Sequence, residues 1–349
     1  MRRNANSRPS YSSAGELNGY ATRADAQQGH QSFKAWVTAR AHQLGRPSHL
    51  HLRPICGIPR WAGVVVAHMD KANLKRVGVW SIGLRTEDPA ALDGVREAAA
   101  ELERLGYGAL WLGGSPHPDH AVPLLEATER IVVATGIFRI WDEAASSIAA
   151  KHAELTKHHS GRFLLGLGAS HSALIKQYAK PYSAMVSYLD ELDTAGVPKD
   201  ERVLAALGPR MLELAGARSL GAHPYLVTPE HTATARATLG DGPLLAPEIK
   251  LAADREQARG HLAIYLQMPN YTRNLLRSGF TEEDLADGGS DRLIDATFAI
   301  GGPEVARERI EAFFDAGADH AVIQVVATDR TNLPLDQWRE LAEVLALAS

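Results

Sequence analysis

The sequence predicts an α/β fold: a closed (β/α)8 TIM barrel over residues 75–349, with an insertion late in the barrel and a poorly ordered N-terminal arm. Apolar runs typical of buried strands alternate with helical patterns eight times, which indicates a parallel sheet. The remaining chain length, about 275 residues, suits eight β/α units. The first run leads into Gly83-Leu84-Arg85-Thr86, which lacks the glycine fingerprint of a dinucleotide-binding fold.

Composition sets the broad class of protein. Of the 349 residues, 45% are hydrophobic and 22% charged, which is typical of a globular chain with a large core. No apolar run approaches the roughly 20 residues of a membrane helix, so we expect no membrane partner. Cys56 is the single cysteine, which excludes a disulfide within the chain and favours a reduced, cytoplasmic protein.

Charge divides the chain at about residue 68. Residues 1–68 contain nine Lys or Arg and two acids, about +7, which leaves about −11 of the net −4 for the rest. We interpret residues 1–68 as a basic, disordered arm, with Met69 as a possible true start of the protein, and residues 69–349 as the barrel domain. The acidic body argues against a nucleic-acid partner.

The elements follow from local signals. Asp88-Pro89 resembles an N-cap followed by proline, and predicts a helix that runs to about Leu105 and stops at Gly106. Residues 172–200 and 254–268 have helical patterns, whereas residues 269–298 are predicted to form an irregular insertion. The predicted strands are residues 77–82, 109–112, 131–137, 163–168, 202–207, 222–227, 244–253 and 319–326.

The stretch Ile131 to Arg139 is the centre of this pattern. Its apolar run lacks polar alternation, as expected for a strand covered on both faces. Gly136, at the carboxyl end, indicates a bulge or a place where a ligand approaches the backbone. The helix from Ala144 to His158 and the strand Phe163 to Gly168 complete a βαβ unit, whose ligand site is expected at the strand ends.

Four segments together resemble the bacterial-luciferase-like monooxygenase superfamily, and within it the branch that depends on coenzyme F420. The resemblance covers roughly residues 75–330 and rests on the order and spacing of the segments. They are Val132-Val133-Ala134-Thr135-Gly136-Ile137, Ser160-Gly161-Arg162-Phe163-Leu164-Leu165-Gly166-Leu167-Gly168, Leu204-Ala205-Ala206-Leu207-Gly208-Pro209-Arg210-Met211 and Ala316-Gly317-Ala318-Asp319-His320.

The resemblance implies a flavin or deazaflavin at the carboxyl end of the barrel, with a cis peptide at Gly136–Ile137 against its ring. Thr228-Pro229 begins a helix after the sixth strand, where free backbone N–H groups favour a phosphate; a plain N-cap is the alternative. The positions carried over for cofactor binding are Gly136, Ile137, Arg139, Gly168, Ser170, Gly208, Arg210, Met211, Thr228 and His231.

The chain departs from the resemblance at two points. Ala169 stands where some members have an acidic base, and Gly113-Gly114 stands where members often have Asp-His. His117 and His171 are therefore the candidate catalytic proton partners, since histidine titrates near neutral pH. Trp80 and Trp141 are candidates for a substrate pocket, with barrel packing as the alternative.

No metal site is predicted, because His152, His158 and His159 lack the spacing that brings ligands together on a helix. The first functional hypothesis is an F420-dependent oxidoreductase that transfers a hydride between the deazaflavin C5 and a small organic substrate. The alternatives are an FMN-dependent monooxygenase that uses oxygen, and a non-catalytic protein that binds flavin or deazaflavin. The resemblance also implies a homodimer.

Overall fold

The computed structural model describes residues 69–171, 180–327, 329 and 331–348. The predictions for the basic arm, residues 1–68, lie outside these described residues. So does part of the helical pattern predicted over residues 172–200, of which the structure describes the portion from residue 180 onward.

The described part of the chain contains eleven strands and twelve α-helices. The strands are β1 Val77–Ser81, β2 Ala109–Gly113, β3 Val132–Gly136, β4 Phe138–Arg139, β5 Phe163–Gly168, β6 Arg202–Leu204, β7 Gly221–Ala222, β8 Leu244–Leu245, β9 Glu248–Ala252, β10 Phe298–Ile300 and β11 Ala321–Val325. The helices are α1 Leu92–Arg104, α2 Val122–Glu126, α3 Ala145–His158, α4 Pro181–Thr194, α5 Pro209–Arg218, α6 Pro229–Leu239, α7 Arg255–Tyr265, α8 Pro269–Arg277, α9 Glu282–Leu285, α10 Asp291–Thr297, α11 Pro303–Asp315 and α12 Leu335–Val344.

The strands form one parallel, curled sheet in the order β10-β9-β11-β1-β2-β3-β5-β6-β7-β8, and β4 pairs with β5. The two-residue link between β8 and β9 joins the ends of the curl. The Ala246 backbone N donates to Ala222 O at 2.9 Å, while Val322 N donates to Pro247 O at 3.0 Å. The predicted TIM-barrel-like α/β fold is therefore confirmed.

Side chains alternate along these strands between two apolar layers, which explains why the strand segments are continuously apolar in sequence. Leu110 and Leu112 pack against the outer helices, whereas Trp111, between them, faces the barrel interior. Trp80 pairs in register with Trp111, and both are buried in that interior cluster. The lumen below the strand ends is thus filled by side chains.

The structure corrects the bounds of one predicted helix and two predicted strands. The first helix begins at Leu92, not after Asp88, because the Asp88 carboxylate accepts the nearby Ala90 N–H at 3.0 Å and stabilises a separate turn. The predicted strands over residues 202–207 and 222–227 are regular only at Arg202–Leu204 and Gly221–Ala222. Their remaining residues leave the sheet to form loops.

The insertion over residues 269–298 is helical, so the prediction of an irregular segment was wrong. It contains α8, α9 and α10. Capping side chains begin two of them: the Thr281 hydroxyl accepts from Asp284 N at 3.3 Å, and the Ser290 hydroxyl accepts from Leu293 N at 3.1 Å. These caps are visible in the sequence as Thr-x-x-Asp and Ser-x-x-Leu, but the helices are too short to produce a long periodic pattern.

Thr135 connects β3 and β5 where backbone pairing is interrupted. Its fully buried hydroxyl donates to Gly166 O and accepts from Gly166 N, each at 2.8 Å. A Cβ at Gly166 would lie 1.9 Å from Thr135 O, so glycine is required for this close approach. One threonine hydroxyl therefore satisfies two buried backbone groups.

We expect Thr135→Val to lower the free energy of unfolding by about 1–3 kcal/mol, because Gly166 N–H and C=O lose their partner in the interior. Thr232→Val is the matched control: Thr232 is also fully buried, but its hydroxyl donates only to the helix carbonyl of Thr228, at 3.1 Å. Urea unfolding of both variants measures the difference; equal losses would contradict this role of Thr135.

Because of two buried histidines in the barrel lumen, we expect the free energy of unfolding to fall in acid. Burial lowers the pKa of both His223 and His320 to about 4, below the unfolded value of about 6.5. As the pH falls from about 6.5 towards 4, the unfolded chain binds protons that the folded chain does not. Unfolding free energy should therefore fall by up to about 1.4 kcal/mol per pH unit for each histidine.

Urea unfolding at pH 7 and pH 5 measures this decrease. His320→Gln removes one of the two groups and should make the pH dependence shallower than in the unmodified chain. Equal stability of the unmodified protein at the two pH values would contradict the prediction.

Candidate active site

A cavity of about 600 Å³ opens at the carboxyl ends of the strands, where barrel enzymes place their sites. One side of it consists of strand ends and the loops that follow them. The other side is formed by side chains of α7 and of the insertion. The lining residues are Trp80, Gly114, Ser115, Gly136, Ile137, Arg139, Gly168, Ala169, Ser170, His171, Pro181, Ala205, Ala206, Leu207, Gly208, Met211, His223, Tyr225, Ile264, Tyr265, Met268, Asn270 and Tyr271.

The strand-end side is rich in glycine for reasons that the packing shows. The Gly136–Ile137 peptide is cis, as the resemblance implied. A Cβ at Gly168 would lie 2.4 Å from Ile137 Cδ1, so that position is filled by the neighbouring side chain. Gly208 is different: the atom nearest to a Cβ added there would be Arg277 Nη2, at 3.4 Å, so Gly208 leaves open space beside the cavity.

Trp80 explains one departure from the family resemblance. Its indole N–H donates to Gly136 O at 2.8 Å, and a Cβ at Gly113 would lie 2.6 Å from its ring atom Cζ2. The indole thus occupies the space that a side chain at the end of β2 would need. Gly113 is accordingly a consequence of Trp80, and the two positions together shape the floor of the cavity.

His171 lies in the cavity wall, beside the insertion. Its Nδ1 is 2.8 Å from Asn270 Oδ1, and its ring lies 5.2 Å from the ring of Tyr271. Burial lowers the pKa of His171, opposed by the hydrogen bond to Asn270. Ser170, immediately before it, has a positive φ of 57°, which turns the chain at the end of β5.

His117 and Trp141 lie outside the lining of this cavity. His117 Nε2 is 3.0 Å from Glu143 Oε2, and its Nδ1 accepts from Asp119 N at 3.2 Å at the start of a short 3-10 helix. The Trp141 indole donates to Ala169 O at 2.5 Å and packs against the outer apolar core. The geometry therefore brings His171, but not His117, to the cavity, and Trp80, but not Trp141.

The residues carried over for a phosphate lie behind the loop at Leu207-Gly208. Thr228 is the N-cap of α6 and accepts from His231 N at 3.3 Å. His231 Nε2 donates to Leu207 O at 2.9 Å, which leaves its buried Nδ1 without a partner among the described residues. Burial lowers the pKa of His231. Arg210 stacks over the ring of Tyr182, with its Cζ 4.3 Å from the centroid.

The sequence analysis missed the wall opposite the glycines. Tyr225, Tyr265 and Tyr271 form a cluster with ring centroids 5.2–6.0 Å apart. Tyr225 Oη donates to Gln324 Oε1 at 3.0 Å and lies 2.7 Å from Tyr265 Oη. Tyr265, Met268 and Tyr271 recur at intervals of three residues, and this spacing was the available signal.

A buried ion pair lies behind Tyr225. Glu248 and Lys250 are two residues apart in β9, so both lie on the lumen face of this strand, where they contact each other. Lys250 Nζ also lies 3.6 Å from the centre of the Tyr225 ring, a cation–π contact. Burial raises the pKa of Glu248 and lowers the pKa of Lys250, and each charge opposes the shift of the other. The pair anchors the tyrosine wall to the barrel.

Among the described residues, no group of three or more His, Cys, Asp or Glu side chains is arranged to hold a metal ion. His152, one of the three histidines weighed as ligands, instead lies with its Nε2 3.0 Å from Glu201 Oε2 inside the protein. No helix in the described part of the chain is long and apolar enough to span a membrane.

Comparison with known proteins supports the resemblance read from the sequence. Residues 77–193 match the family model described as luciferase-like monooxygenase. The predicted resemblance to this superfamily is thereby confirmed. No curated protein matches the sequence significantly.

Solved structures share the fold at low sequence identity. An F420-dependent secondary alcohol dehydrogenase has a TM-score of 0.59 at 14% identity, over 79% of this chain and 99% of that one. The F420-dependent tetrahydromethanopterin reductase of Methanopyrus kandleri has 0.60 at 14%, over 77% and 97%. The FMN-bound oxygenating constituent of 3,6-diketocamphane monooxygenase from Pseudomonas putida has 0.56 at 15%, over 77% and 96%.

Proposed function

We propose that the chain is an F420-dependent oxidoreductase that transfers a hydride between the deazaflavin C5 and a small organic substrate. The observation that carries the proposal is the cavity at the strand ends, with the cis Gly136–Ile137 peptide and Gly168 and Gly208 along one side. Such a wall exposes backbone to a flat ligand, and the tyrosines line the opposite wall.

The residues present fit a tricyclic cofactor with a phosphate-bearing tail. Gly208 leaves open space next to Arg277, and Gly208 is also the N-cap of α5, where the helix dipole favours an anion. Arg277 and Arg210 are the cations of this region. Because His231 Nε2 is committed to Leu207 O, His231 would donate to a phosphate only as an imidazolium, through Nδ1.

In this proposal the remaining carried-over residues hold the cofactor. Ile137, Arg139, Ser170 and Met211 line the cavity. Thr228 supports the loop at Leu207-Gly208, beside which the phosphate would bind. The bound deazaflavin would supply the hydride chemistry at its C5. The chain orients the ring between its two walls, excludes water with apolar and aromatic side chains, and offers His171 as a proton partner. Arg139 lies beside Asp142, with its Nε 2.8 Å from Oδ2.

FMN is the second candidate cofactor, because the FMN-bound monooxygenase from Pseudomonas putida has the same fold. Under this alternative the chain is a monooxygenase that uses reduced flavin and oxygen. The preference for F420 rests on the sequence likeness at residues 132–137 and 204–211. A non-catalytic binding protein is the third candidate, favoured by Ala169 in place of an acidic base. A homodimer is part of the proposal and is testable by sedimentation.

We expect the full chain to bind F420 tightly and FMN weakly. Equilibrium titration followed by cofactor fluorescence measures both affinities under the same conditions. Tight FMN binding with weak F420 binding would favour the monooxygenase. Binding of F420 without oxidation of its reduced form in a single turnover, over a broad substrate panel, would favour the non-catalytic protein.

Gly208→Ala tests whether this backbone approaches the cofactor. The residue has an ordinary φ of −93°, and the added methyl has only Arg277 Nη2 nearby, at 3.4 Å, so the stability should change by less than about 0.5 kcal/mol. Cofactor affinity should fall roughly tenfold because the methyl occupies ligand space. Gly242→Ala is the control, since nothing lies within 4 Å of its added Cβ. Unchanged affinity in Gly208→Ala would remove Gly208 from the site.

A further inference from the structure

Two lumen histidines share one mode of anchoring. His320 Nδ1 lies 2.9 Å from Lys75 O, and His223 Nδ1 lies 2.7 Å from Ala246 O. A carbonyl oxygen accepts hydrogen bonds and does not donate them, so each imidazole carries its proton on Nδ1. The main chain thereby fixes the tautomer of both rings.

Both rings are also held by the same tryptophan. Trp111 Nε1 donates to His320 Nε2 at 3.1 Å. The ring of His223 stacks on the Trp111 indole, with centroids 4.4 Å apart and planes at 25°. His223 is therefore rigid in position as well as in tautomer.

The two histidines differ in whether their Nε2 atom has a hydrogen-bond partner. In His320 this lone pair is used by Trp111. In His223, Nε2 has no hydrogen-bond partner within the described ranges, 69–171 and 180–327 included. His223 is 2% exposed and lines the cavity. Because burial lowers its pKa to about 4, the imidazole is neutral at pH 7 and Nε2 is an acceptor.

We propose that His223 Nε2 is the specificity-determining acceptor of the cavity, and that it selects ligands which direct an O–H or N–H donor to it. A ligand that places a carbonyl or carboxylate oxygen there meets a lone pair and gains no hydrogen bond. This inference deepens the proposed function. It rests on that function for one of two sources of the donor, the pyrimidine-ring N–H that F420 and FMN share. The other source is the hydroxyl of a second ligand.

The neutral state of His223 limits its role to selection. A group that resists protonation holds a hydrogen bond from a donor without taking the proton away. His320 and the charge of Lys250 lower the pKa of His223 further. Tyr225, two residues along the chain, is already committed to Gln324 and Tyr265, so its hydroxyl does not substitute for the missing partner.

The test uses the full chain with ¹⁵N-labelled histidine and follows the Nε2 resonance of His223 by NMR. The probes are F420, FMN, and the matched pair benzyl alcohol and toluene, which fit an apolar, tyrosine-lined space and differ by a hydroxyl. We expect the Nε2 resonance of His223 to shift in the direction that formation of a hydrogen bond causes. Movement with F420 or FMN assigns the donor to the cofactor; movement with benzyl alcohol but not toluene assigns it to a second ligand.

Variants give an independent measurement. His223→Leu removes the acceptor and should weaken binding of the responding probe about tenfold, with toluene binding unchanged. His223→Gln, which keeps a polar side chain, serves if the leucine variant fails to fold. His320→Gln is the matched control, a buried lumen histidine outside the cavity lining, and should leave probe affinity unaltered.

The outcomes separate this inference from the proposed function. If F420 or FMN binds by fluorescence and no probe moves the Nε2 resonance, the role of His223 is overturned while cofactor binding stands. If neither cofactor binds, the proposed function fails, and the benzyl alcohol and toluene pair still decides the inference. Absence of any response to that pair would then overturn it as well.

Discussion

The packing of the Trp80 indole against the ends of β2 and β3 is the contact on which the site depends. It fixes Gly136 O through a hydrogen bond of 2.8 Å and excludes any side chain at Gly113. Beneath it, Trp111 holds His223 and His320. The two tryptophans, in register on neighbouring strands, therefore form the layer at the cavity floor.

The sequence predicted the fold because the barrel leaves a strong signal at each strand. Strands buried on both faces are continuously apolar, so Phe163–Gly168 and Val132–Gly136 were recognisable without any alternation. The prediction was wrong where a local side-chain interaction overrides the periodic pattern of apolar residues. Asp88 stabilises its own turn instead of a helix, and the short helices of the insertion depend on single caps and tertiary packing that a periodicity search does not detect.

The cavity lining includes the strand-end glycines named from the sequence, but it does not include His117 or Trp141, whose side-chain directions the sequence does not reveal. The cis peptide at Gly136–Ile137 was implied by the family resemblance, whereas the cavity position of Gly168 and Gly208 follows from glycines at strand ends. The position of His117 in the chain says nothing about its ring, which caps a 3-10 helix and contacts Glu143. His223 was not assigned a role, because its hydrogen bond to Ala246 O and its stacking on Trp111 involve residues that are distant in sequence.

The two walls of the cavity draw on different parts of the chain. Residues 77–193, which match the luciferase-like family model, include the cis peptide and the end of β5. The tyrosine wall, built from Tyr225, Tyr265 and Tyr271, lies wholly outside that match. The part of the chain that the family model covers therefore contributes to the strand-end wall and not to the tyrosine wall. His223 lines the same cavity, and in the proposal its Nε2 accepts from whichever ligand brings the donor.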